Sequence, residues 1–217
     1  MKVARIQEIE PTRVTVGDEL QWRPLRRTLG IEAFGINAYT ANAGDLVIEE
    51  HDETGAGAGQ HEELYVVITG RAVFTVDGEE VDAPVGTCVF LDDPKERRGA
   101  RAVEAGTTVL AIGGERGAPF KVSPWEFVFA AAPTSEAKRY DESKVLLRQG
   151  LELHPRNVSL LYNLACAEAL SGETDAALEH LAEAAANPRF RKFAEEDPDF
   201  ESLRDDPRFK ALVSQRA

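Results

Sequence analysis

The stretch GQHEELYVVITG, residues 59 to 70, opens with a histidine and two acids, continues apolar and stops at a glycine. Such a strand is the metal-bearing edge expected of a small β-barrel. A second segment of the same character, DLVIEEHDE, ends near His51. Side chains alternate along a strand, so Glu49, His51 and Glu53 share one face of it, and His61 shares a face with Glu63. Imidazole and carboxylate are donors for a divalent metal, and carboxylates are also partners for a buried cation. A cation is available in LDDPKERRGA, where Arg97, Arg98 and Arg101 follow one another closely.

The elements that must position these groups are short alternating runs: GINAYTA, DLVIEEH, ELYVVIT, RAVFTV, TCVFLD and TTVLAIG. Gly, Asp and Pro punctuate them, and no βαβ alternation appears, so an antiparallel sandwich or barrel is expected. Asp77-Gly78 between RAVFTV and EEV predicts a hairpin turn with positive φ at both central residues.

After AAAPTS the period becomes helical. Tyr140, Ser143, Leu147 and Gly150 align with Thr174, Ala177, Leu181 and Ala184 at an offset of 34, and Pro155 with Pro188 at 33. Small, large and small positions closed by a proline resemble the second helix of a tetratricopeptide repeat. NVSLLYNLACAEALSGE supplies a first helix for the later repeat, while the segment before Tyr140 offers no matching one. The tail places Phe200, Leu203, Phe209 and Leu212 at spacings suited to a capping helix. So short an array implies packing on another body. A stabilising lid and a surface for a protein partner both remain open readings.

Within the β-rich part, Glu63 followed by six residues and Gly70 resembles the end of the first motif of the cupin family, and Gly86 begins a resemblance to its second. The likeness covers roughly Ala41 to Gly114, extended by flanking strands from Leu20 to Phe129. It implies a cupin β-barrel, the RmlC-like jelly roll or double-stranded β-helix, over residues 1–130, followed by a small all-α tetratricopeptide-like region over 134–217. Cupin metal sites take two histidines and a glutamate from the first motif and a histidine from the second. Here Glu63 matches the glutamate, TGAGAG occupies the histidine pair's place, and Arg97 aligns with the second-motif histidine.

Two expectations follow. In the first, Arg97 points inward and pairs with Glu63 in a metal-free interior, and Glu63, Tyr65 and Arg97 bind a small acidic ligand. In the second, His51, His61 and Glu63, with Glu49 or Glu53 as a further donor, hold Mn, Fe, Ni or Zn in an oxygenase- or isomerase-type enzyme. The departures in the ligand positions favour the first, with no cofactor. The resemblance also implies a homodimer.

Acids outnumber bases by 38 to 25, so nucleic acid is an unsuitable partner. No apolar run suits a signal peptide or a membrane span, which sets the expectation of a soluble, cytoplasmic protein. Cys88 and Cys166 read as small buried hydrophobes, and His180 as a surface residue. His154 precedes a terminating proline and can neutralise a helix C-terminus.

Overall fold

The computed structural model describes residues 1–13, 20–54 and 58–214. The chain divides into two compact units, Met1–Val122 and Ser123–Ala217.

In the first unit the alternating runs become antiparallel strands: β1 (Thr12–Arg13), β2 (Gln21–Arg23), β3 (Gly35–Ala41), β4 (Leu46–His51), β5 (His61–Thr69), β6 (Arg71–Val76), β7 (Glu79–Pro84), β8 (Cys88–Leu91), β9 (Arg98–Ala102) and β10 (Thr107–Glu115). A short helix, α1 (Leu25–Leu29), separates β2 from β3. The strands form two sheets and not one closed ladder among the described residues. One sheet has the order β1-β2-β3-β10-β5-β8 and the other β4-β9-β6-β7. Side chains rather than strand pairing join them: Val47, Ile48, Tyr65, Val67, Phe74, Leu91 and Val109 make a common core. The β6–β7 hairpin turns at Asp77 and Gly78, whose φ of 48° and 88° are the two positive values that turn requires.

The second unit is helical: α2 (Pro124–Glu136), α3 (Tyr140–Leu153), α4 (Val158–Leu170), α5 (Thr174–Ala184), α6 (Pro188–Glu196) and α7 (Pro207–Val213), with a 3₁₀ turn over Pro198–Leu203. Its first helix lies where the sequence offers no repeat partner for α3. Pro124 starts α2, because its missing N–H is no loss in a first turn. Residues 123–130 thus belong to this unit.

Three later elements share one starting device. Asn187, Asp197 and Asp206 each precede a proline, and their side chains accept from the backbone N–H of Arg189, Asp199 and Arg208. These breaks divide the tail into a 3₁₀ turn and a short helix, where a single capping helix is expected. Phe200, Leu203 and Phe209 are nevertheless buried together against Tyr162, Leu178 and Leu181.

Gly150 lets α3 approach its neighbours. A Cβ there would meet Leu160 Cδ2 at 2.9 Å and Phe127 Cγ at 3.0 Å. His154 follows α3 as its C-terminal cap residue. His180 is only partly exposed, because its Nδ1 lies 2.7 Å from Oε2 of the fully buried Glu168. Arg148 meets the other carboxylate oxygen at 3.0 Å.

Candidate functional site

Period two sets the inward face of β5. His61, Tyr65 and Val67 are buried, and Glu63 lies between His61 and Tyr65 with a side chain 11% exposed. The expectation that His61 shares the face of Glu63 is met in the structure. Opposite, β4 ends at His51, whose register partner on β9 is Arg98. Five side chains from three strands and the segment after β4 therefore converge: His51, Glu53, Glu63, Tyr65 and Arg98.

Arg98, not Arg97, is the buried arginine. Its side chain is fully excluded from solvent, and its Nε lies 3.3 Å from Glu63 Oε2. Arg97 projects outward, pairs with Glu50 and lines a surface groove with Leu46, Val73 and Thr75. The reason is one of register: β9 begins at Arg98, and from there Arg98, Ala100 and Ala102 alternate inward while Arg101 is exposed. A slip of one residue reverses every side chain.

The contacts of Arg98 are uneven. Its Nη1 donates to the carbonyl oxygens of Pro94 at 3.3 Å and Glu96 at 2.6 Å. Nε and Nη2 are buried and make no hydrogen bond among the described residues, the Nε approach to Glu63 lying outside bonding geometry. Nη2 thus has no acceptor, and Nε has only the Glu63 carboxylate off bonding geometry, an arrangement that is costly unless something else completes it.

Glu63 is the hub. Its Oε2 accepts from the Tyr65 hydroxyl and lies 3.6 Å from His51 Nε2. Burial pushes the Glu63 carboxyl up, but His51, Tyr65 and Arg98 together outweigh it and hold the group below its ordinary value. Tyr65 is pushed well up by burial and by the adjacent Glu63 charge, which keeps it a neutral donor.

His51 is oriented by the backbone. Its Nδ1 is 2.8 Å from the carbonyl oxygen of Glu49. A carbonyl only accepts, so Nδ1 carries the proton and Nε2 points at both Glu63 and Glu53, each 3.6 Å away. Burial disfavours the imidazolium, yet Glu63, the Glu49 carbonyl and Glu53 prevail and raise the His51 pKa. Glu53 moves toward its neutral form, first through burial and then through the Glu63 charge.

Glu53, which alternation offers as a further donor beside His51, reaches the site from just beyond β4. Its Oε2 accepts from the Gly59 N–H at 2.8 Å, and its backbone carbonyl accepts from Gln60 N at 3.0 Å. His61 approaches Glu53 and not Glu63, with Nδ1 3.8 Å from Glu53 Oε2. The other edge of its ring lies under Gly59, where a Cβ would come within 2.2 Å of His61 Nε2. His61 also packs beside Phe120, centroid to centroid 5.9 Å.

The metal set expected from sequence is therefore rearranged. His51, Glu53 and Glu63 each offer a donor atom within 4.8 Å of the others. The N···O separations of 3.6 Å are what two donors about 2.1 Å from a shared ion span at an open angle. These three residues fit a divalent ion, and His61 stands behind Glu53. A cation bound there would share Glu63 with the guanidinium of Arg98.

The two cysteines differ: Cys166 is buried, whereas Cys88 is exposed on β8 and contradicts the expectation of burial. CVFL is apolar throughout, so composition gives no parity, and the register places Val89 opposite the inward Tyr65 and Cys88 opposite Val66.

No family model matches the chain, and no curated protein matches it. Solved structures similar to it include KdgF from Halomonas sp., at 16% identity over 49% of this chain and 88% of that one, TM-score 0.40. A predicted oxalate decarboxylase from Thermotoga maritima is 20% identical over 52% of this chain and 97% of that one, TM-score 0.42. A Cupin 2 conserved barrel domain protein from Salinispora arenicola is 18% identical over 54% of this chain and 90% of that one, TM-score 0.43. No described helix is long and apolar enough to cross a membrane.

Proposed function

We propose that the β unit is a cupin-type small-molecule-binding module whose interior receives an anionic group, a carboxylate above all, on Arg98. The observation that carries this reading is the pair of buried donors, Nε and Nη2, that make no hydrogen bond among the described residues. A planar guanidinium matches the two oxygens of a carboxylate. The balance of charge supports it. Arg98 is a permanent cation beside Glu63, and His51, whose pKa is raised, faces the same carboxylate. Tyr65 stays in the proposed pocket, and Arg98 takes the role expected of Arg97.

A second reading has its own observation, the convergence of His51, Glu53 and Glu63. In it the unit is a metal-dependent enzyme, and a bound Mn, Fe, Ni or Zn would supply Lewis acidity and an activated water. The chain's own part would be to hold the ion with His51 Nε2 and two carboxylates, while Arg98 holds an anionic substrate.

One experiment separates the readings. Propionate is titrated into the metal-stripped full chain and followed by NMR, for wild type and Arg98→Lys. Saturable binding in wild type, weakened at least about tenfold by the lysine that keeps charge but loses the fork, supports the anion module. Propionate binding that appears only after Mn²⁺ or Zn²⁺ is restored supports the second reading instead.

We infer that the helical unit is a tetratricopeptide-like segment for protein contact, adding to the interface of a homodimer. Sedimentation of the full chain at micromolar concentration tests this, and a monomer throughout would remove it.

A further inference from the structure

Beside Glu63 the six-stranded sheet carries glycines whose faces are covered by Glu63, His61 and Phe120, with the small Ala111 next to them. In one row of the six-stranded sheet Gly35 pairs with Gly113 and Gly113 with Glu63. In the next inward row Asn37 pairs with Ala111 and Ala111 with Tyr65. A Cβ on Gly113 would stand 3.2 Å from Glu63 Cγ, and one on Gly35 the same distance from the Phe120 ring. Nothing larger than a methyl group therefore rises from β10 between Asn37 and the Glu63–Tyr65 pair.

Asn37 stands at the far side of Ala111, two strands and roughly 10 Å from the Tyr65 backbone. It shares the inward face of β3 with Tyr39 and Ala41, which pack into the core. It is 4% exposed, and its Oδ1 has no hydrogen-bond partner among the described residues. A buried amide oxygen accepts and cannot donate, so only a donor can satisfy it. The interior thus holds two unmet demands of opposite kind: an acceptor for Arg98 and a donor for Asn37.

We propose that the ligand is a small hydroxy carboxylic acid, with its carboxylate on Arg98, its skeleton over Ala111, and a hydroxyl several atoms away donating to Asn37 Oδ1. This rests on the anion reading above and adds the hydroxyl. Neither an alkanoate nor a simple inorganic anion would meet both demands.

The test uses the full chain and matched probes: 4-hydroxybutyrate, 5-hydroxypentanoate and 6-hydroxyhexanoate, each against the alkanoate in which a methyl group replaces the hydroxyl. At least one hydroxy acid should bind about tenfold or more tightly than its partner, the size expected when one buried acceptor is satisfied. Asn37→Leu and Asn37→Ala should bring the two members of that pair to within about twofold of each other. If every pair binds equally in wild type, or if a preference survives both Asn37 variants, the hydroxyl assignment is wrong although the anion site stands. If no carboxylate binds wild type at all, both the assignment and the anion reading fall. The wild-type comparison stands even if a variant does not fold.

Discussion

Arg98 and Glu63 lie 3.3 Å apart, Nε to Oε2, with the guanidinium fully out of solvent. Their neighbour in sequence, Arg97, makes its ion pair with Glu50 on the outside, where both side chains are more than half exposed. Consecutive arginines at the start of β9 thus point opposite ways, one answering to the interior and one to water.

Their removal should have opposite consequences. Arg98→Ala leaves Glu63 buried without its permanent counter-ion, and a loss of about 3–5 kcal/mol is expected. Arg97→Ala should leave the urea midpoint unchanged, since an exposed pair is well screened. Equal midpoints for the two variants would contradict the assignment of the inner arginine.

Stability should also depend on the charge of His51, which faces Glu53 and Glu63. Its pKa is raised from an ordinary 6.5 in the folded protein, so its contribution is complete below that value. It is then lost as pH rises through the elevated pKa. Chemical denaturation of wild type and His51→Gln from pH 6 to 9 should show the difference between them shrinking as pH rises. A difference that grows would mean that burial, and not the two carboxylates, governs this imidazole.

Gly150→Ala weighs helix propensity against packing. Alanine favours a helix interior by about 0.8–1 kcal/mol. Its methyl would press on Leu160 and Phe127 at 2.9 and 3.0 Å, and overpacking costs about 1–3 kcal/mol. Net destabilisation is expected, with a lower midpoint for loss of helical circular dichroism. An increase would show that α2 and α4 can retreat.

The thiols should separate cleanly by reactivity. Cys88 is exposed, while Cys166 is buried and its thiol is pushed well up by burial and by Asp197 and Asp199. A disulfide reagent added to native protein should react rapidly with Cys88 alone, and with Cys166 only after denaturant is added. Rapid modification of both would place Cys166 nearer solvent than α4 allows.

What the sequence made legible follows from what is periodic. Alternation along β5 was enough to put His61, Glu63 and Tyr65 on one face, and two residues at the β6–β7 turn announced their own φ values. Arg97 and Arg98 were not separable that way. LDDPKERR approaches β9 through a non-strand segment, where no parity exists until the strand begins. Cys88 was obscure for a related reason, since four apolar residues in a row carry no sign of which face is wet. Alternation past His51 was enough to offer Glu53 as a donor, while the hydrogen bonds it accepts from Gly59 and Gln60 are a tertiary closure that no local pattern encodes. The helix before Tyr140 was missed because its aromatic and alanine-rich run carries little amphipathic contrast.

The pairing of β4 with β9 is irregular, shifting register between Leu46 and Ile48 and again between Ile48 and His51. Next to the second shift, the Glu49 carbonyl serves as the rest for the His51 ring. The chemistry of the site is thereby timed by a defect in the ladder. Removing one residue at Glu49 or Glu50 would smooth the strand and keep the imidazole opposite the inward Arg98, while the carbonyl its ring now rests on would be displaced. A change that regularises the ladder would then loosen the orientation of the ring without changing the face it lies on.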